Sequence, residues 1–259
     1  MKHFGLIGEK LGHSLSAVIH EKVFERLDVG ADYRLIEIPR EELDSRLPAL
    51  LRQLDGFNVT IPYKQAVIPF LKELDSAARA IGAVNTVCCG EASGHNTDAP
   101  GFAAMLRREG IDPAGRECFV LGNGGASRAV IAALNTLGAS RVTLVSRRPE
   151  GDMISYGELA LRFSGILVNC TPVGMWPKTE ACPIPEQTLM SMLPRAEAVA
   201  DVIYNPGETV LTRTARAAGV KACTGLYMLV AQALEADRIW LRREIPEDMT
   251  EEIMKELTF

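Results

Sequence analysis

One stretch in the middle of the chain narrows the choice of fold more than any other: Cys118-Phe119-Val120-Leu121-Gly122-Asn123-Gly124-Gly125-Ala126-Ser127-Arg128-Ala129-Val130. A short apolar run rich in β-formers meets a glycine cluster, and a helix-compatible run follows over residues 127–137. Strand, tight turn and helix N-terminus in that order expose backbone N–H groups at the positive end of a helix dipole, where a pyrophosphate sits well. Gly122 permits the turn, and Gly124 keeps a Cβ out of the path of the phosphate. The third position of such a fingerprint is Ser127 rather than glycine, and glycine-rich turns of this kind also occur without a ligand. Because the turn lies mid-chain, a separate α/β unit must precede it.

Residues 4–8 read as a strand, followed by a helix over 17–27 with Ser16 as its N-cap. Two hydroxyls, Ser14 and Ser16, lie between that strand end and helix start; they either cap the helix or form a corner that takes a carboxylate. Residues 33–38 alternate as a strand, and 41–54 are helical, with Pro48 expected to break the helix and restart it. A parallel-type strand over 56–61 runs into Pro62-Tyr63-Lys64, near which another helix is expected. Strands over 83–88 and 94–95 precede Asn96-Thr97-Asp98 and a helix to residue 109. Beyond the glycine turn come strands over 141–145, 165–170 and 198–203, a helix from about 226 to 240, and an acidic helix from 247. Parallel strands need a connection of about a dozen residues or more. Residues 149–155 are too few, so the sequence predicts no helix directly after Arg148, a vestigial edge strand near residues 153–154, and a helix over 156–163.

The alternation predicts a two-domain α/β protein with parallel sheets and a cleft between the domains. An N-terminal α/β substrate domain covers residues 1–102 and is completed by helices within 226–259. A Rossmann-type, doubly wound parallel sheet over 103–225 forms the cofactor domain. Net charge of −5 gives no reason to expect nucleic acid or a membrane surface as partner. The apolar run at residues 4–8 is too short for a signal peptide, so a cytoplasmic protein is expected. The six cysteines contain no C-x-x-C pair and read as buried thiols; His3, His13, His20 and His95 lack metal-ligand spacing, so no metal is expected.

In open α/β sheets ligands bind beyond the carboxyl ends of the strands. Ser14, Ser16, Asn58, Thr60, Lys64, Asn85, Thr86 and Asp98 all fall at such ends and suit a small polyhydroxylated substrate. Reducing a carbonyl with hydride leaves an alkoxide that must be protonated, and a positioned lysine supplies that proton. Lys64 fits that role with Asp98 holding its ammonium; a surface lysine and a helix-capping aspartate would leave the same pattern. At the other site, strand 141–145 ends in Ser146-Arg147-Arg148 with no acidic residue before Glu150. Two guanidiniums suit a ribose 2′-phosphate, which favours NADP over NAD.

Eight segments in order resemble the shikimate dehydrogenases. They are His13-Ser14-Leu15-Ser16, Asn58-Val59-Thr60-Ile61-Pro62-Tyr63-Lys64, Gly82-Ala83-Val84-Asn85-Thr86 and Asn96-Thr97-Asp98; then Gly122 to Arg128, Asn169-Cys170-Thr171-Pro172-Val173-Gly174-Met175, Asp201-Val202-Ile203-Tyr204-Asn205-Pro206 and Gly225 to Gln232. The resemblance implies reversible NADPH-dependent reduction of 3-dehydroshikimate to shikimate in chorismate biosynthesis, by a monomer or homodimer. It implies that Lys64 and Asp98 form the catalytic pair, and that Ser14 and Ser16 hold the substrate carboxylate with Tyr204 nearby. Thr60, Asn85, Asp98 and Gln232 would bind ring oxygens. Gly122, Asn123, Gly124, Gly125 and Ala126 would wrap the pyrophosphate, Ser146, Arg147 and Arg148 would meet the adenosine end, and Val202 and Gly225 would line the nicotinamide. The chain departs from the family at Ala17, where proline is usual, at Ser146, where asparagine is usual, and in the short segment after Arg148. Rival readings are a quinate/shikimate dehydrogenase using NAD or NADP, a relative acting on an amino analogue, and a dinucleotide-binding paralogue without catalysis.

Overall fold

A computed structural model describes residues 1–12 and 14–257; His13 lies outside the described residues. The chain divides into two compact units, Met1–Asp98 with Val230–Leu257, and Ala99–Leu229.

In the first unit, β1 (Lys2–Gly8) pairs in parallel with β2 (Ala31–Glu37) on one side and β3 (Gly56–Val59) on the other. Two helices join these strands, α1 (Ser16–Arg26) and α2 (Leu43–Gln53). After a 3₁₀ turn at Ile68–Phe70 come β4 (Glu73–Leu74), α3 (Ser76–Ile81), β5 (Thr86–Cys88) and β6 (Ser93–His95). The sheet order is β2-β1-β3-β5-β6-β4. Its β3–β5 and β5–β6 pairs are antiparallel, so this sheet is mixed and not parallel as expected. The β5–β6 pair follows from the short turn between them, which reverses the chain where a helical crossover has no room.

Three local expectations also change. Pro48 sits inside one continuous helix, because Leu43, Leu47 and Leu50 bury a single face on either side of it. The bond that Pro48 cannot donate belongs to the carbonyl of Asp44, an exposed residue open to solvent. No α-helix starts near Lys64; the segment is a series of turns ending in the 3₁₀ turn. Pro69 contributes, since it has no N–H to donate to an α-helical turn through Lys64 and Gln65. Ser16 is the first residue of α1 and not its cap; Leu15 holds the cap position, and its side chain makes no capping hydrogen bond.

The second unit begins within α4 (Asp98–Arg108) and continues through β7 (Glu117–Leu121), α5 (Gly125–Thr136) and β8 (Arg141–Val145). Then follow α6 (Tyr156–Arg162), β9 (Gly165–Asn169), α7 (Glu186–Met192) and β10 (Ala196–Asp201). α8 (Val210–Ala217) and β11 (Lys221–Cys223) complete the unit; α7, α8 and β11 are not among the elements expected from the sequence. All five strands are parallel, in the order β11-β10-β9-β7-β8, so the winding reverses between β7 and β9. No helix stands between Arg148 and Met153, and Ile154 touches Val145 through a single parallel bridge, as the length of that connection requires. Apolar side chains cover both faces of this sheet: Cys118, Val120 and Val168 on one, Phe119, Leu121 and Leu167 on the other.

The chain re-enters the first unit within α9 (Leu226–Leu241) and ends in α10 (Met249–Glu256). There Trp240 stacks on Phe4, with ring centroids 4.7 Å apart, and donates to the Val87 carbonyl at 2.9 Å. Among the described residues, no helix is long and apolar enough to cross a membrane.

Candidate active site

Lys64 owes its position to backbone and core contacts on both sides of it. The Tyr63 ring is buried and its hydroxyl donates to the Ile38 carbonyl at 2.5 Å, while the Lys64 carbonyl accepts from the Val84 N–H at 2.7 Å. The ammonium then meets the carboxylate of Asp98 at 2.5 Å, with 15% and 11% of the two side chains exposed. Asp98 is the first residue of α4, so its charge also sits at the positive end of that helix.

Asn85 holds the other oxygen of Asp98. Its Oδ1 accepts from the Thr97 N–H at 2.7 Å, which fixes the amide and aims Nδ2 at Asp98 Oδ1, 3.0 Å away. The same Nδ2 lies 3.4 Å from Gln232 Oε1 on α9. Thr60 follows β3, donates its N–H to Ile7 at 2.9 Å, and packs its methyl against Gly8 at the carboxyl end of β1. Lys64, Asn85, Asp98 and Gln232 therefore form one hydrogen-bonded group. An ammonium with its counter-charge, an amide and a second amide can move a proton and grip hydroxyls.

Ser14 and Ser16 are brought together separately, Oγ to Oγ at 3.1 Å, and Ser14 Oγ accepts the Ser16 N–H at 3.2 Å. The corner connects to the polar group through Tyr33, which the sequence offered only as an alternating strand residue. Burial pushes the Tyr33 phenol well above the usual tyrosine range, and a hydrogen bond with Ser16 partly offsets this. The phenol donates to Asn58 Oδ1 at 2.7 Å, and Asn58 Nδ2 donates to the Asn85 carbonyl at 3.1 Å. A tyrosine in a strand gives no sequence signal of such a link.

In the second unit the glycine turn stands at the carboxyl end of β7, beside the point where the winding reverses. Gly122 has φ +95°, and a Cβ there would press on the Thr171 methyl at 2.9 Å. No side chain caps α5, whose N-cap is Gly124, and the space where a Gly124 Cβ would lie is open. Ser127 Oγ donates back to the Gly124 carbonyl at 2.6 Å and ties the turn down. Asn123 is exposed, while Gly125 and Ala126 are half-buried at the start of α5. Beyond β8, the Ser146 hydroxyl bridges the N–H and carbonyl of Arg148, leaving Arg147 and Arg148 exposed. Val202 and Gly225 lie against each other so closely that a Cβ on Gly225 would collide with the Val202 carbonyl oxygen. Tyr204 is half-buried in this unit, its phenol pushed up by burial. A bare turn, an uncapped helix start, two exposed guanidiniums and no carboxylate at the end of β8 suit a dinucleotide bearing a 2′-phosphate.

Residues 6–87 match the family described as the shikimate dehydrogenase substrate binding domain. A Clostridium perfringens shikimate dehydrogenase (NADP(+)) is 39% identical over 272 residues, spanning 99% of this chain and 98% of the relative. The chain belongs to the shikimate dehydrogenase family. Its fold agrees with solved members. The chorismate mutase/shikimate 5-dehydrogenase fusion protein from Clostridium acetobutylicum superposes with a TM-score of 0.92 at 41% identity, over 99% of this chain and 96% of that one. Shikimate 5-dehydrogenase from Thermus thermophilus, solved with NADP(H) and shikimate, gives 0.87 at 34% identity over 99% of each chain. Shikimate dehydrogenases are oxidoreductases, and the curated relatives, such as those from Clostridium perfringens and Clostridium beijerinckii, are named for NADP(+).

Proposed function

We propose that this chain reversibly reduces 3-dehydroshikimate to shikimate with NADPH, as a cytoplasmic step of chorismate biosynthesis. The observation that carries the reading is the Lys64–Asp98 pair at 2.5 Å, held by Asn85 in a group that includes Gln232. Gly122 to Ala126, Ser146 to Arg148, Val202 and Gly225 would hold NADP, which when bound as NADPH supplies the hydride. Ser14 and Ser16 would take the substrate carboxylate, with Tyr204 nearby, and Thr60, Asn85, Asp98 and Gln232 the ring oxygens. As the carbonyl carbon gains the hydride, Lys64 gives a proton from Nζ to the oxygen, and the product leaves as the alcohol. Asp98 keeps the ammonium aimed at that oxygen. In the oxidising direction the neutral amine takes the hydroxyl proton.

The test is NADPH consumption with 3-dehydroshikimate, set beside NAD reduction with quinate. Turnover in the first assay and little in the second is expected. Equal or greater activity with quinate and NAD would move the chain to the quinate/shikimate group.

A further inference from the structure

Asp201 ends β10 and is fully buried, yet among the described residues it has no ion-pair partner. Its carboxylate is held by three donors. Asn169 Nδ2 at 3.0 Å and the Ile203 N–H at 3.1 Å reach Oδ1, and the Thr209 hydroxyl at 2.8 Å reaches Oδ2. The donors come from three different segments: the end of β9, the loop after β10, and the N-cap of α8. An uncompensated carboxylate is costly to bury, so its presence calls for a role that a neutral side chain would not fill.

Two routes lead outward from it, and both end at the dinucleotide site. Asn169 is fixed by accepting from the Thr171 N–H and hydroxyl at 3.0 and 2.7 Å, and Thr171 supplies the methyl that backs Gly122 in the glycine turn. On the other side, the Ile203 carbonyl accepts the Gly225 N–H at 2.8 Å, which seats Gly225 against Val202. The pyrophosphate turn and the nicotinamide floor thus rest on one carboxylate. Neither route passes through Lys64, Asn85 or Asp98. We propose that Asp201 is a positioning residue for the cofactor, setting the spacing between the glycine turn and the Val202–Gly225 pair. This rests on the NADP reading of the site.

A carboxylate accepts all three of these bonds. In Asp201→Asn the amide oxygen would stay with the Ile203 N–H, which cannot rotate, and the NH₂ would face Thr209 Oγ1. That hydroxyl already accepts the Thr212 N–H at 3.3 Å and would have to turn its proton from the residue 201 side chain to Thr212 Oγ1, 3.2 Å away. The start of α8 and the loop it anchors would then shift.

Direct binding to the unliganded protein tests this: NADPH by nucleotide-fluorescence titration, shikimate by calorimetry, with Tm recorded in parallel. Asp201→Asn should weaken NADPH about tenfold and change shikimate affinity less than about twofold, with Tm unchanged or raised. Thr209→Val should weaken NADPH in the same direction, and Thr209→Ser, which keeps the hydroxyl, should bind as the unmodified protein does. If Asp201→Asn does not fold, the Thr209 pair decides alone. NADPH affinity within twofold of normal in the folded variants, or equal losses for both ligands, would overturn the proposal. An unmodified protein with no NADPH affinity would sink the cofactor reading along with it.

Discussion

The groups proposed to meet the substrate in the first unit are side chains, and the residues that carry several of them are buried: Ser16 and Asn85 are each less than a tenth exposed. In the second unit the surface proposed for the cofactor is mostly backbone, and what matters is the side chains that are missing at Gly122, Gly124 and Gly225. The two carboxylates repeat the contrast. Asp98 has a lysine at 2.5 Å, whereas Asp201 has only neutral donors, and burial pushes its carboxyl up to about 6. A site built from side chains fails by losing atoms. One built from backbone fails by gaining them.

The largest effect should come from removing the proton donor. Lys64→Ala is expected to lower kcat by about 10²- to 10⁴-fold with little change in shikimate affinity. Steady-state kinetics would make Lys64 a binding residue if kcat survived and only KM rose.

The second test concerns the unpaired carboxylate. The carboxyl of Asp201 is near 6 in the fold against 3.8 when solvated. The folded state therefore binds this proton more tightly, so its contribution is full below about pH 4 and is lost as pH rises through about 6. Asp201→Asn does not titrate there. Denaturant unfolding should show the unmodified protein losing up to about 3 kcal/mol relative to the variant across that window. A constant difference between the two would mean that Asp201 is better solvated than its burial indicates.

Next in size is the serine corner. Ser16→Ala should raise KM for shikimate about tenfold or more, since a hydrogen bond to a charged group is worth about 1.5–3 kcal/mol. An analogue lacking the carboxylate should respond far less; equal loss for both would return Ser16 to a purely local helix role.

Gly124→Ala separates folding from binding on the backbone side. Its φ of −98° suits any residue and the added methyl meets nothing in the fold, so Tm should hold. NADPH affinity should fall about tenfold, a difference of ~1.4 kcal/mol, because that methyl enters the phosphate path. Unchanged affinity would show that the phosphate does not approach there. The smallest effect concerns cofactor choice. Arg147→Ala should erase most of an NADP preference of about tenfold in kcat/KM while sparing activity with NAD. Retention of that preference would transfer the role to Arg148.

The parts that were readable before folding are those set by local chemistry. Gly122 sits in a turn that calls for a positive φ, and seven residues between Arg148 and Tyr156 are too few for a helical crossover between two parallel strands. Other features depend on partners far along the chain. The path through Lys64 is fixed by Ile38 and Val84, and the helix through Pro48 survives on packing at Leu43, Leu47 and Leu50. Tyr33 links Ser16 to Asn58 only once β2 lies beside β1. The buried contact of His20 with Asp237 at 2.8 Å joins residues 217 positions apart, beyond the reach of any motif.

The way the chain crosses between units also orders its synthesis. Residues 99–229 are continuous and hold every strand of their own sheet, so they are complete once that length has left the ribosome. The first unit emerges earlier but stays unfinished, because Phe4, Phe24 and Tyr33 share a cluster with Ala236 and Trp240 near the end of the chain. Domains generally fold as units during synthesis, the N-terminal one first. Here the reverse order is expected, since the first unit is complete only when residues 230–257 have also emerged.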